Sequence, residues 1–142
     1  MQENNRKHFA QLDENNVVIR VGVFDAKNAL DENGEYQESL AIAWYKTTFG
    51  NHTNWVETSK THSFRTRAAT KGYTYNSSLD AFIRPQPYPS WSTLNSSTKD
   101  WEPPIAKPIL TEEQVSQGKY YVWDESAYQS QLGGWVLQDN PY

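Results

Sequence analysis

The sequence contains 17 carboxylates that could do chemistry, and two adjacent pairs stand out. Glu112-Glu113 and Asp124-Glu125 resemble the paired acids of glycoside cleavage, which needs two carboxyl groups about 5–9.5 Å apart across the sugar. Adjacent side chains on a strand point to opposite faces, so Asp124 and Glu125 are not expected to converge. We interpret both pairs as turn and helix-capping residues.

The residues that could bind a metal ion are scattered or wrongly spaced. His8, His52 and His62 lie in unrelated segments, so a zinc site would have to be assembled entirely by tertiary structure. Residues 31–35 begin like a calcium-binding loop, but the glycine is misplaced and the distant bidentate glutamate is missing. The sequence has no cysteine, no phosphate-binding loop and no nucleophile-elbow motif. We predict no metal, no cofactor and no enzymatic activity.

The overall composition limits the class of partner. With 13 basic and 17 acidic residues the net charge is −4, so binding to nucleic acid or to a membrane surface is not expected. Hydrophobic residues make up 37% and aromatic residues 14% of the chain, which predicts an aromatic core. The polar N terminus leads to no apolar region, and no stretch approaches the ~20 apolar residues of a membrane span. A soluble product without a secretory signal is expected.

The elements that must position these groups begin with a hairpin. Residues 1–7 are predicted to be a flexible tail, and residues 8–83 a β-rich portion with one short helix. Within that portion, residues 8–12 and 17–24 flank a polar turn and predict two paired strands. The core face of the second strand is expected to be the one that carries Val17, Ile19, Val21 and Val23.

A helical spacing of apolar side chains follows at residues 38–49. Glu38 in the first turn and Gly50 after the last are typical start and stop signals, and residues 54–58 then predict a brief strand. The helix face expected to be buried carries Leu40, Ala43, Trp44 and Thr47 or Thr48.

The second half of the chain repeats one pattern, in which an aromatic strand residue, a polar turn and a second aromatic residue follow one another. Three copies are predicted, pairing Tyr73–Tyr75 with Phe82-Ile83, Trp91 with Trp101, and Tyr121–Trp123 with Trp135–Leu137. Prolines within residues 84–89 and 102–108 favour extended linkers between the copies, so residues 84–142 are predicted to hold the Pro-joined Trp hairpins. Thr111 is expected to cap a helical turn or two.

These elements together predict a mainly β, small α+β fold. It consists of an N-terminal hairpin plus one short helix, followed by three tandem aromatic β-hairpins joined by Pro-rich linkers. The basic stretch at residues 60–71 has no acidic residue and contains Phe64. We interpret it first as a solvated loop, second as a docking surface for an acidic partner, and last as a single-stranded nucleic-acid contact.

An ordered set of motifs runs from His8 to about Trp135. The set comprises His8–Val18, Gly50…Asn54–Ser59, Gly72–Tyr75, Asp80–Ile83, Pro87–Trp91, Trp101–Pro104 and Tyr121–Glu125…Trp135-Val136. As a set, these motifs resemble small proteins encoded by marine tailed phages, especially cyanophages. The chain departs from that family at Phe64–Lys71, where Phe-Arg-Lys-Asn-Tyr-Ala-Gly is usual.

The resemblance implies a virion structural protein, often present in several copies per genome, with no catalytic residue to transfer. We expect a head decoration or cement subunit, assembled in the host cytoplasm, that binds other virion proteins, capsid before tail. The residues expected to dock on the partner are Arg65, Arg67, Lys71, Trp91, Trp101, Trp123 and Trp135. The alternative is a tail, neck or fibre module that binds a receptor or host surface glycans. Self-association into a homo-oligomer is a further alternative.

Overall fold

A computed structural model describes residues 5–140. The fold is mainly β with helices added, the small α+β class that the sequence predicted. The chain divides into two units, one with the residues up to Pro85 plus Ser96–Asp100, the other with Gln86–Asn95 plus the residues from Trp101 onward. Of the predicted tail, residues 1–4 lie outside the described residues. Residues 6 and 7 pair with another strand, so the prediction is wrong for them.

The first unit contains a three-stranded antiparallel sheet. Strands β1 (Arg6–Leu12), β2 (Val18–Asp25) and β3 (Asn54–Thr58) lie in the order β2-β1-β3. The turn between β1 and β2 is closed by the Asp13 carboxylate, which accepts hydrogen bonds from the backbone N–H groups of the second and fourth residues after it. The predicted hairpin and the predicted third strand are both confirmed.

The buried face of β2 is not the predicted one. Ile19, Val21 and Val23 are exposed, the last to 63%, whereas Val18 and Phe24 are buried. The prediction is wrong for two reasons. A register shift between Gln11 and Leu12 places Val18 opposite Leu12, which interrupts the simple alternation of faces. In addition, the face of β2 that points away from the helix is buried at Val18, which packs with Ala10, Leu12 and Phe82, and is exposed at Ile19, Val21 and Val23.

Helix α1 (Glu38–Phe49) has the predicted bounds. Gly50 ends it at φ 121°, with its N–H donating to the Lys46 carbonyl. The predicted face is wrong, because Ala41 and Tyr45 are buried while Leu40, Ala43, Trp44, Thr47 and Thr48 are exposed. The Tyr45 ring stacks on Trp55 of β3 with centroids 4.0 Å apart. This contact rotates the helix by about one residue from the face that the spacing predicted.

The main core of the first unit lies between α1 and the sheet. It is predominantly aromatic, as the composition predicted, and consists of Phe9, Phe24, Ala29, Ala41, Tyr45 and Trp55. A short 3-10 helix, Ala26–Ala29, connects β2 toward α1, and its first turn is capped by the Asp25 carboxylate. The first aromatic hairpin, β4 (Thr74–Asn76) and β5 (Ala81–Ile83), is confirmed, with Tyr75 opposite Phe82 and ring centroids 5.3 Å apart.

The second unit is built from short elements. These are β6 (Thr93–Leu94), β7 (Trp101–Glu102), α2 (Glu112–Ser116), β8 (Tyr120–Trp123), α3 (Glu125–Gln129) and β9 (Trp135–Gln138). The third predicted hairpin is confirmed, since Trp123 lies opposite Trp135 with ring centroids 5.2 Å apart. Thr111 begins α2 with a capping box, also as predicted.

The second predicted hairpin exists with a different pairing. Trp101 lies opposite Leu94, not opposite Trp91. Trp91 precedes β6 and instead contacts Trp123 and Trp135, at 5.7 and 6.0 Å between ring centroids. The prediction is wrong because β6 begins only at Thr93, after the Trp91 side chain has already turned toward β8. Within residues 5–140, no helix has the length and apolarity needed to cross a membrane.

Candidate functional site: a strand edge beside an aromatic groove

Strand β2 lies at an edge of the first sheet. Its inner side pairs with β1, and at Val18 its outer side bonds to the chain at Gly72 and Tyr73. From Ile19 to Asp25 no strand lies beside that outer side in the described part of the chain. The N–H and C=O groups on such an edge form a template for pairing with another chain.

A groove of about 420 Å³ opens beside this edge, on the helix side of the sheet. Gly22 leaves it open, because a Cβ atom added there would meet nothing within 4 Å. The rings of Trp44 and Phe49 line the groove and remain about 40% exposed. Phe24, Tyr45 and Trp55 complete the aromatic lining. The groove can therefore hold a large apolar group.

Arg20 lies at one end of the groove. Its Nε donates to the Gln11 carboxamide oxygen at 2.6 Å, and its guanidinium carbon is 4.7 Å from the Phe49 ring centroid and 5.6 Å from that of Trp55. Among residues 5–140, Arg20 forms no salt bridge. The groove lining thus combines aromatic rings with the Arg20 guanidinium. Asp25 also lines the groove, but its carboxylate pairs with Lys27 and not with Arg20.

The opposite face of the same edge is also apolar. Ile19, Val21 and Val23 are exposed there. We define the β2 edge surface as Ile19–Asp25 together with Trp44 and Phe49. A strand edge with exposed apolar side chains on both faces is typical of a site that binds protein.

The predicted docking cations Arg65 and Arg67 are used inside the first unit. Arg65 donates to the Asp80 carboxylate at 2.8 Å, to Glu38 at 3.2 Å and to the Glu57 carbonyl at 2.8 Å. Burial lowers the pKa of Arg65, but the hydrogen bonds to Asp80 and Glu38 outweigh it and raise the pKa above its usual value. Arg65 therefore ties α1 to the first aromatic hairpin.

Arg67 is only 6% exposed, and its guanidinium donates to three main-chain carbonyls, those of Phe82, Thr98 and Lys99. Only Lys71 of the three predicted cations is exposed. The interpretation of residues 60–71 as a solvated loop is consequently wrong for Arg65 and Arg67, because their charges have internal acceptors.

The backbone of this stretch is unusual. Three non-glycine residues in it have positive φ, namely His62 at 60°, Arg65 at 53° and Thr66 at 73°. Such conformations cost free energy and persist only where surrounding contacts impose them. The two arginine side chains supply those contacts, and His62 adds one, since its Nδ1 accepts a hydrogen bond from the Ala68 N–H.

Three of the four predicted tryptophans form a cluster within the second unit. Trp123 is buried, and Trp91 and Trp135 are half-buried against it. Glu125 braces this cluster, because its carboxylate accepts from the Ser90 hydroxyl and N–H and from the Trp123 indole N–H. Desolvation raises the pKa of Glu125, but these hydrogen bonds and one from the Gln129 side chain outweigh it and lower the pKa to about 2. The fourth, Trp101, lies in β7.

A second, more polar cleft of about 700 Å³ lies near the start of β1. The hydroxyl groups of Ser59, Thr61 and Ser63 line it, and they hydrogen-bond to one another. Burial and the nearby Lys60 lower the pKa of His8, which lines the same cleft. In the part of the chain that is described, no group of three or more His, Cys, Asp or Glu side chains is placed to hold a metal ion.

The sequence prediction missed the β2 edge surface. The sequence pattern places Ile19, Val21 and Val23 on a core face and Trp44 on a helix stripe, and it does not single out Arg20. One signal was present, because a glycine in the middle of an apolar strand, as in Arg20-Val-Gly-Val23, often marks a close approach by a ligand or another chain.

Comparison with known proteins adds no relative. No protein-family model, no curated protein and no solved structure matches the chain. The resemblance to proteins of marine tailed phages therefore rests on the sequence motifs.

Proposed function

We propose that this chain is a non-catalytic structural protein of a tailed-phage virion that binds another virion protein through the β2 edge surface. The observation that carries the proposal is the edge of β2, which no strand covers from Ile19 onward in the described residues. Ile19, Val21 and Val23 are exposed on one face of it, and the Trp44 and Phe49 rings of α1 are exposed beside the other. Soluble proteins usually cover or charge such edges, because they pair with other chains. An edge that leaves Ile19, Val21 and Val23 exposed suits a protein that functions in a complex with another protein.

The capsid protein is the favoured partner, which makes the chain a head decoration or cement subunit. The family resemblance and the small size of the chain support this choice. Many copies that bind only the assembled shell stabilise it by mass action. The β2 edge surface replaces Arg65 and Arg67 as the expected contact, since those two side chains are engaged internally.

The test uses particles of the phage that encodes this chain. Mass spectrometry of purified virions should detect the chain, and cryo-electron microscopy should place its density on the head. Particles made with Val23→Lys should lose the chain, because a charge on the edge opposes strand pairing. Val115→Lys is the matched control, since Val115 is 60% exposed on α2 and should leave occupancy unchanged. Density on the tail alone, or none, would overturn the head assignment.

A glycan-binding tail, neck or fibre module is the second candidate. The exposed Trp44 and Phe49 rings favour it, because flat aromatic faces beside polar groups such as Arg20 and Asn28 suit sugars. A glycan array probed with the full chain should then show binding that disappears in a folded Trp44→Ala variant. A blank array would count against this candidate.

A further inference from the structure

We propose that the β2 edge surface accepts an extended strand of another protein in antiparallel pairing. The strand carries a large apolar side chain opposite Gly22 and, two residues later, an Asp or Glu opposite Arg20. This inference rests on the proposed function and deepens it, because it names the partner segment as apolar-x-acidic.

The backbone supplies the first part of the site. All pairings in the β2-β1-β3 sheet are antiparallel, and the outer side of β2 carries no strand from Ile19 onward in the described residues. A strand added there continues the same hydrogen-bond pattern. The contact of Val18 with Gly72 and Tyr73 limits the added strand to Ile19–Asp25.

The groove supplies the second part. Arg20, Gly22 and Phe24 alternate along β2 and share the helix side of the sheet. Because Gly22 has no side chain, the residue opposite it can lean over the strand into the groove. Its side chain would contact the exposed rings of Trp44 and Phe49 and remove them from water.

The charge supplies the third part. Arg20 lies two residues before Gly22 on the same face, and antiparallel strands run in opposite directions. The partner residue opposite Arg20 therefore follows the apolar residue by two positions. A carboxylate there would meet a guanidinium that has Gln11 but no acidic group as its partner in the described chain.

A second copy of β2 does not fit this site. When a strand pairs with its own copy in antiparallel fashion, the twofold axis is perpendicular to the sheet, so the helix sides of both copies coincide. The helix-side residues of β2 are Arg20, Gly22 and Phe24, and none is acidic. Phe24 is buried in its own core and cannot fill a neighbour's groove. The occupant is a strand of a different protein.

A selection experiment tests the inference without the virion. Random nine-residue peptides displayed on yeast are selected on the immobilised full chain and counter-selected on the Gly22→Leu variant. We expect enrichment of the apolar-x-Asp/Glu motif. Synthetic peptides of the enriched sequence should bind Gly22→Leu about tenfold or more weakly, because the new side chain occupies the groove. They should bind Arg20→Gln about threefold more weakly.

Gly22→Leu separates lost binding from lost folding. A Cβ atom added at Gly22 meets nothing within 4 Å, and leucine is a better strand residue than glycine, so the variant should be at least as stable as the natural chain. Val115→Leu is the matched control, because it adds bulk at a residue that is 60% exposed on α2 and does not belong to the β2 edge surface, so it should leave peptide binding intact. Circular dichroism checks the fold of each variant.

Several outcomes would overturn the inference: no enriched motif, a motif without the acid, or equal binding by Gly22→Leu and the natural chain. A dimer in sedimentation that Gly22→Leu abolishes would make a second copy the occupant and reject the inference too. If the selection fails while the chain sits on the phage head, only the inference falls. If peptides bind while the chain is absent from virions, only the proposed function falls.

Discussion

Replacing Arg67 by methionine should cost the first unit about 2–5 kcal/mol of unfolding free energy. Methionine keeps much of the apolar stem but removes every donor of the guanidinium. The Phe82 carbonyl is buried, so leaving it without a donor costs about 1–3 kcal/mol. The carbonyls of Thr98 and Lys99 lie nearer water and add about 0.5–1 kcal/mol each. The 3.6 Å ion pair between Arg67 and Asp100 is also lost. This loss costs little, because Asp100 keeps its 2.6 Å pair with Arg84.

Urea unfolding followed by circular dichroism measures this loss. Lys71→Met is the matched control, because Lys71 belongs to the same basic stretch but is exposed, and its replacement should change the unfolding free energy by less than about 0.5 kcal/mol. If Arg67→Met were as mild as Lys71→Met, the internal role assigned to Arg67 would be wrong. The stretch would then be the solvated loop that its composition suggests.

Three further perturbations test other contacts. The lowered pKa of Glu125 means that this side chain contributes its full stabilisation above about pH 4.5 and loses that contribution as the pH falls toward 2. Acid unfolding followed by tryptophan fluorescence measures this, and Glu125→Gln should remove this part of the acid dependence. Gly50→Ala should lower the melting temperature and cost about 1 kcal/mol or more of unfolding free energy, because φ is 121° at this position. Gly22→Ala should not lower the melting temperature, because a Cβ atom there meets nothing within 4 Å. Tyr36→Phe should cost about 1–2 kcal/mol in urea unfolding, because its hydroxyl donates to the buried Glu57 carboxylate at 2.7 Å; no change would mean that water replaces it.

Local signals in the sequence predicted most of the elements. The polar turn after β1, the stop at Gly50 and the capping box at Thr111 each depend on residues within a few positions of one another. The pairing of Trp123 with Trp135 followed from two short aromatic strands on either side of a polar stretch. Such features are encoded where they occur, so one sequence suffices to locate them.

The choice of buried face depended on contacts distant in sequence. The rotation of α1 follows the stacking of Tyr45 on Trp55, which lies in a different element. The face of β2 follows a register shift and the fact that β3 pairs with β1 instead of β2. Spacing along one element cannot reveal which neighbour will cover it. The same limit hid the β2 edge surface.

The internal hydrogen bonds of Arg65 and Arg67 could not be predicted for a related reason. A run of cations without acidic neighbours suggests a free charged surface, yet the acceptors of Arg67 are main-chain carbonyls. Every residue carries such a carbonyl, so composition gives no sign of which ones are used.

The first unit is formed from two separate stretches of the chain, and this affects how it folds during synthesis. Two of the carbonyls that receive the Arg67 guanidinium belong to residues 98 and 99, which follow the first part of the second unit along the chain. The first unit therefore cannot finish folding until Asp100 has left the ribosome. A fragment that stops at Pro85 would carry an Arg67 with one of its three carbonyl acceptors, so a stable N-terminal fragment has to extend to Asp100.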